Sequence, residues 1–365
     1  MRFSAIIVSA LAVALASAHG NHDIQREQAI RRTLLEHTKK DLSHCANKIR
    51  SSGLEARNVQ RRAEHASALK EQRGLRKSQV VTREAVDNTH LSDANYTLST
   101  PEETIFSSNN SCVLSPEVTE GPYYVAGEYI RSNVTEGQAG VALHLEVQVL
   151  DINTCEPVTS VYTEIWHCNS TGVYSGVSAS NNGDSATDTS NLNATFLRGL
   201  QETDSDGVVI FDTLVPGHYT GRTNHIHVLV HTNATAQANG TVLDTTASHV
   251  GQMFFDQDLI TEVEATSVYL ENTQQLTTND EDSILQQEAA SSDPYLEYIL
   301  LGDTVEDGLL GWLAFGIDPS LSDSVSAAAT LYASGGVSSS NSGGGGGPGG
   351  GGGTGPFGGG GGPFA

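Results

Sequence analysis

In the stretch Pro216-Gly217-His218-Tyr219-Thr220-Gly221-Arg222-Thr223-Asn224-His225-Ile226-His227-Val228, two histidines are separated by a single residue. On a strand, His225 and His227 share one face and Ile226 and Val228 take the other. Two imidazoles side by side make half a metal site, although a polar face on a sheet edge would carry the same spacing. The company favours the metal: a Pro-Gly turn, Tyr219 and Arg222 all lie just upstream. No acidic residue is close in sequence, which argues against a ferrous site of two histidines and a carboxylate. Tyrosine is the available anionic oxygen donor. A phenolate is a hard ligand that suits a trivalent metal, so tyrosine mixed with histidine points to iron(III) rather than zinc. A second tyrosine, Tyr174, is offered by Ile165-Trp166-His167-Cys168-Asn169-Ser170-Thr171-Gly172-Val173-Tyr174-Ser175-Gly176, where a strand runs out into an Asn/Gly loop.

Strands must position these groups. Val141, Leu143, Leu145, Val147 and Val149 alternate with Ala142, His144, Glu146 and Gln148, which predicts a strand with a buried face. Similar strands are read at 163–167, 208–213, 225–231 and 309–317. Short strands at such intervals predict an all-β fold, a β-sandwich core with long loops over 104–319. Residues 19–85, rich in Arg, Lys, Glu, Gln, Leu and Ala without proline, predict a helical N-terminal segment before it. Its pairs Arg31-Arg32, Lys39-Lys40 and Arg61-Arg62 leave two readings open, a basic helical arm or a removable propeptide. Residues 86–103 read as a polar linker. From 320 to 365 the chain turns to Ser, Ala and Gly and then almost pure glycine, which predicts a disordered tail.

Residues 1–18 have the form of a secretory signal peptide: Arg2, an apolar run, then Ala16-Ser17-Ala18. That run is too short to span a membrane. Glycosylation acceptors at Asn95, Asn109, Asn133, Asn169, Asn193, Asn233 and Asn239 agree with a secreted protein. Cys45, Cys112, Cys155 and Cys168 are even in number, so an oxidising compartment predicts two disulfides, in any of three pairings. Of the 19 lysines and arginines, only Arg131, Arg198 and Arg222 lie beyond residue 85. A domain so acidic repels polyanions, which excludes nucleic acid and anionic membranes as partners.

At this point the chain resembles the intradiol ring-cleavage dioxygenases, the catechol and protocatechuate dioxygenases, and especially their secreted, fungal-type branch. The resemblance runs from about Cys112 to Asp318. It is carried by Glu120-Gly121-Pro122-Tyr123-Tyr124, Arg131, Trp166, Gly172-x-Tyr174-Ser175, Phe196-Leu197-Arg198-Gly199, Thr203-Asp204-x-Asp206-Gly207, the Tyr219 to His227 block and Gln252-Met253-Phe254-Phe255. It implies that Tyr174, Tyr219, His225 and His227 bind non-haem Fe(3+). Arg222 then lies over the substrate with Gln252 as its polar partner, and Tyr124 and Trp166 help line the pocket. The implied reaction takes a small aromatic diol and O2 to a muconic acid, with Tyr219 leaving the metal and taking up a proton. With so few arginines, an uncharged catechol is expected in preference to protocatechuate. The helical arm could also serve a homodimer, as helical linkers do in the catechol branch.

Two other readings use the same residues. A copper-zinc superoxide dismutase-like metalloprotein would need further imidazoles, with His144, His167, His231 and His249 as candidates. A non-catalytic binding or structural module would keep the sandwich without iron.

Overall fold

Strands outnumber helices along the described chain, and long loops connect them. The computed structural model describes residues 42–75, 106, 111–113 and 121–339, apart from 180–181, 184–187, 245, 248 and 291. The expected signal peptide, the linker, Asn95, Asn109, Arg31-Arg32, Lys39-Lys40 and the chain beyond 339 lie outside these residues. The arm contributes α1 (Ala46–Ser51) and α2 (Leu54–Gln72). There follow β1 (Ser111–Val113), β2 (Val125–Ala126), β3 (Ala142–Asp151), β4 (Tyr162–Trp166), β5 (Arg198–Glu202) and β6 (Val208–Leu214). Next come β7 (His225–His231), β8 (Thr246–Ala247), β9 (His249–Phe254), α3 (Gln257–Glu264) and α4 (Ser283–Ala289). The described chain ends with β10 (Glu297–Leu300), β11 (Leu309–Ile317), β12 (Asp323–Ser324), β13 (Ala329–Tyr332) and β14 (Gly335–Ser338).

A five-stranded sheet has the order β1-β11-β3-β6, with β10 also paired to β11. A four-stranded sheet has the order β5-β4-β7-β9. Val147, Phe211 and Leu313 from the first and Ile165, Val228 and Met253 from the second belong to one apolar cluster, so the sheets face each other across a shared core. Each such side chain, fully withdrawn from water, contributes roughly 1.5–3 kcal/mol.

The alternation in β3 gives its inner face, but the outer face is buried as well. The cause is α2, which lies across it. Arg61 and Arg62 both reach Glu146, at 2.9 and 2.8 Å, and Asn58 donates to Gln148 at 2.9 Å. Arg62 also stacks on Trp312 of β11, 5.0 Å from the ring centroid. Arg62 is 2% exposed and Glu146 fully buried. Arg62, then, is part of the fold and not presented at the surface as a processing site. A disulfide, Cys45–Cys155, ties the arm to the turn after β3.

Two expectations need correction. Two disulfides were expected, but Cys168 is free and buried, its thiol donating to the Gly217 carbonyl at 3.2 Å. It sits two residues beyond the end of β4, an inner strand of its sheet. Cys112 has only its backbone described, paired in β1 with Phe315. The tail was expected to be disordered from 320, yet β13 pairs with β2 and β14 with β13. Its residues are too small to register as hydrophobic in composition. Ala327, Ala328, Ala329 and Leu331 nevertheless pack against the aromatic cluster beside β2.

Candidate metal centre

The outer face of the four-stranded sheet carries one cross-strand row. Arg198 on β5 is registered against Trp166 on β4, Trp166 against His227 on β7, and His227 against Gln252 on β9. β7 is central in this sheet and all seven of its residues are buried, so the histidine pair does not lie on an exposed edge. The indole of Trp166 stacks flat on the His227 imidazole, centroids 4.7 Å apart at 6°. That contact fixes the ring plane and keeps water from one side.

Two loops bring the tyrosines to this row. Tyr219 and Arg222 flank a tight turn in which the Arg222 amide bonds the Tyr219 carbonyl at 3.1 Å. Gly221 takes φ +89° at its third position, a left-handed conformation that side chains avoid. The other loop leaves β4 and is folded by Asn169, whose side-chain oxygen accepts from the Thr171 and Val173 amides. At Gly172 an added Cβ would lie 2.2 Å from the His218 carbonyl oxygen, so the two loops touch backbone to backbone. Asn182 then bonds both the amide and the carbonyl of Tyr174. Arg198 braces the loops from below, donating to the Ser175 and Tyr123 carbonyls at 2.7 Å each.

The result is a convergence on His225 Nε2. Tyr174 Oη lies 3.4 Å away, Tyr219 Oη 3.5 Å and His227 Nε2 3.2 Å. Nδ1 of His225 is 2.6 Å from the Thr223 carbonyl, which can only accept, so the proton sits on Nδ1 and the Nε2 lone pair faces the centre. Donors about 2.0–2.1 Å from a common ion in tetrahedral array lie about 3.3–3.4 Å from one another, so the spacing suits a metal. Burial raises the Tyr174 phenol well above its ordinary pKa. Burial likewise pushes Tyr219 up to about 12, against the pull of Arg222. Only a strongly charged cation would hold two such phenols ionised at neutral pH, which again fits a trivalent ion.

Arg222 is buried beside this centre, its Nε 2.8 Å from Asp282 and its Nη2 2.5 Å from the Gln252 side-chain oxygen. Burial opposes its charge, but Asp282 and Tyr219 outweigh that and raise its pKa. Tyr124, expected to help line the pocket, lies behind Trp166, ring centroids 5.2 Å apart, and its hydroxyl reaches Glu164 at 3.5 Å. It is Tyr123 that stacks on Tyr174 at 4.6 Å and meets Tyr219 edge-on. Neighbours in an irregular segment point in different directions, and nothing in the tyrosine pair itself shows which ring faces inward.

The remaining imidazoles are engaged elsewhere. His167 bonds Thr213, His144 bonds Asp212, His231 bonds Glu164, and His249 takes the Asp318 amide. A dismutase-like copper-zinc site therefore lacks its extra ligands. Among the described residues, His44, Cys45 and Cys155 also cluster, but the two sulfurs are bonded to each other and offer no thiolate. Asn133, Asn193, Asn233 and Asn239 are exposed. Asn169 is half-buried and donates its amide to Gln138, which makes it a poor glycan acceptor.

The family model described as Dioxygenase matches residues 119–289. An intradiol ring-cleavage dioxygenase from Tetranychus urticae is 33% identical, over 57% of this chain and 96% of that one, with a TM-score of 0.46. The dioxygenase domain of a carbohydrate-binding fusion from Streptomyces sp. SirexAA-E is 22% identical over 55% and 95% of the two chains, TM-score 0.34. Catechol 1,2-dioxygenase from Pseudomonas arvilla C-1 is 18% identical over 57% and 62%, TM-score 0.33. No curated protein matches the chain.

Proposed function

The chain belongs to the intradiol ring-cleavage dioxygenases, and we propose that it is a secreted iron(III) enzyme that cleaves uncharged catechols between their hydroxyl-bearing carbons, giving muconic acids. The observation that carries this reading is the convergence of two phenol oxygens and the His227 Nε2 on His225 Nε2, each 3.2–3.5 Å from it. Tyr174, Tyr219, His225 and His227 would hold the ion. Bound there, ferric iron supplies Lewis-acid activation of the catechol ring towards dioxygen.

The chain's own residues do the rest. Tyr219 takes a proton from a catechol hydroxyl at its phenol oxygen, and burial keeps that proton in place at neutral pH. Arg222 stabilises negative charge on the ring, a role for which a permanently charged guanidinium is suited. Trp166 and Tyr123 exclude water on either side of the ligands. A substrate carboxylate would find little compensation here, because Arg222 is already paired with Asp282 and Arg198 with backbone carbonyls beneath. That favours a neutral catechol.

Secretion is supported by the Cys45–Cys155 disulfide and the exposed acceptors Asn133, Asn193, Asn233 and Asn239. The β-sandwich reading rests on the apolar cluster shared by the two sheets. A homodimer built on the arm would use the outer side of α2, since its inner stripe covers its own chain. The deciding experiment is a visible spectrum with metal analysis on secreted protein, then titration with catechol and measurement of oxygen uptake. A burgundy, iron-containing protein that consumes oxygen with catechol is expected. A folded protein without iron or colour defeats the proposal.

A further inference from the structure

Arg222 can act on a substrate only if its long side chain holds one orientation, and the structure shows what holds it. Its Nε donates to Asp282 Oδ2 at 2.8 Å and its Nη2 to Gln252, while Nη1 takes no hydrogen bond among the described residues. The same Asp282 oxygen accepts the Thr223 amide at 2.9 Å, next along the chain from Arg222. The other oxygen, Oδ1, accepts the Ile284 and Leu285 amides that open α4. A second tie runs in parallel, from the Thr223 hydroxyl to Asn279 at 2.6 Å and from Asn279 to the Phe255 carbonyl at 2.9 Å. Asp282 is fully buried, so water does not compete for either oxygen. One carboxylate thus fastens the 277–283 loop to the segment that leads into β7, and grips the guanidinium by a single edge.

We infer that Asp282 is a positioning residue for ring cleavage: it holds Arg222 by the Nε edge so that the opposite edge faces a substrate at the Tyr174–Tyr219–His225–His227 centre. This rests on the function proposed above. The grip is directional because guanidinium and carboxylate are planar and match in only a few geometries. A displaced guanidinium still carries its charge but no longer places it against the reacting ring, and a misplacement of about 1 Å can cost on the order of 100-fold in rate.

Two substitutions separate this role from simple helix capping. Asp282→Ser keeps a good N-cap for α4 and removes the arginine contact. Asp282→Asn keeps size and cap but removes the charge. In the full secreted chain, both variants are expected to retain iron, the resting visible band and the catechol affinity measured by anaerobic titration. Their kcat should fall about 10- to 100-fold. In an Arg222→Ala background, adding Asp282→Ser should cause no further loss of kcat, since the group being positioned is gone. The inference is overturned if either iron-loaded variant keeps full kcat, or if the loss is the same with and without Arg222. Loss of the resting band or of folding in both variants would make Asp282 a structural cap and would equally overturn it. A wild-type protein without iron or catechol-dependent oxygen uptake sinks the functional reading itself and is told apart from these outcomes by that control.

Discussion

The two sheets each bury an outer face as well as an inner one, and they do so in opposite ways. On the five-stranded sheet the cover is the basic arm, and its charges are matched: Arg61 and Arg62 close on Glu146, and Asn58 on Gln148. On the four-stranded sheet the cover is a set of loops, and the groups that meet there are alike: two imidazole nitrogens and two phenol oxygens, all able to offer lone pairs. A buried set of opposite charges satisfies itself and holds structure. A buried set of like donors calls for a cation between them. The same backbone geometry serves cohesion in one place and chemistry in the other.

That contrast can be broken by substitution. The largest effect is expected from His227→Ala, which should abolish colour and bound iron while circular dichroism stays that of the folded protein; retention of stoichiometric iron would remove His227 from the centre. Arg222→Lys should leave iron content unchanged and lower kcat by roughly 100-fold, because a flexible ammonium does not reproduce the fork. Full activity in that variant would refute the role given to Arg222. On the other sheet, Arg62→Ala leaves Glu146 short of a buried partner and should cost about 3–5 kcal/mol in chemical unfolding, with the visible band of the folded fraction unaltered. A change below about 1 kcal/mol, the range of an exposed pair, would show that the arm is not integral to the domain.

The smallest expected effect is a pH dependence that sharpens the comparison. On the same strand as His225 and His227, His231 bonds Glu164 at 2.9 Å and Asp244 at 3.4 Å. Burial opposes its charge, but Asp244 and Glu164 outweigh that and raise its pKa to about 9. A raised histidine stabilises the fold fully below its unfolded value near 6.5, and that stabilisation is lost as pH rises through about 9. The whole contribution is on the order of 3 kcal/mol. Thermal midpoints should therefore decline between pH 6.5 and 9, and His231→Gln should flatten the decline. An equally steep decline in the variant would assign it to other groups.

Much of this was legible in the sequence because it depends on local periodicity. The alternation in β3, β7 and β11 gave strands whose inner faces are where period two places them, and His225-x-His227 put both imidazoles on one face. What the alternation does not carry is the cover on the outer faces. Glu146 and Gln148 read as solvent-facing until α2, far away in sequence, is laid across them. Asp282 was missed for the same reason: it lies 60 residues from Arg222, and its only local signal is as an N-cap ahead of Ser283–Ala289. Tyr123 and the strands beyond Asp323 were missed because irregular segments and small residues have no period to read.

The Cys45–Cys155 bond has a consequence for the life of the molecule after synthesis. It joins points 110 residues apart, and the whole passage from arm to domain lies inside that closed circuit. A peptide bond cut anywhere between the two cysteines would release nothing. The two fragments would travel as one clasped particle, heavier only by the water taken up, until a reductant parted them.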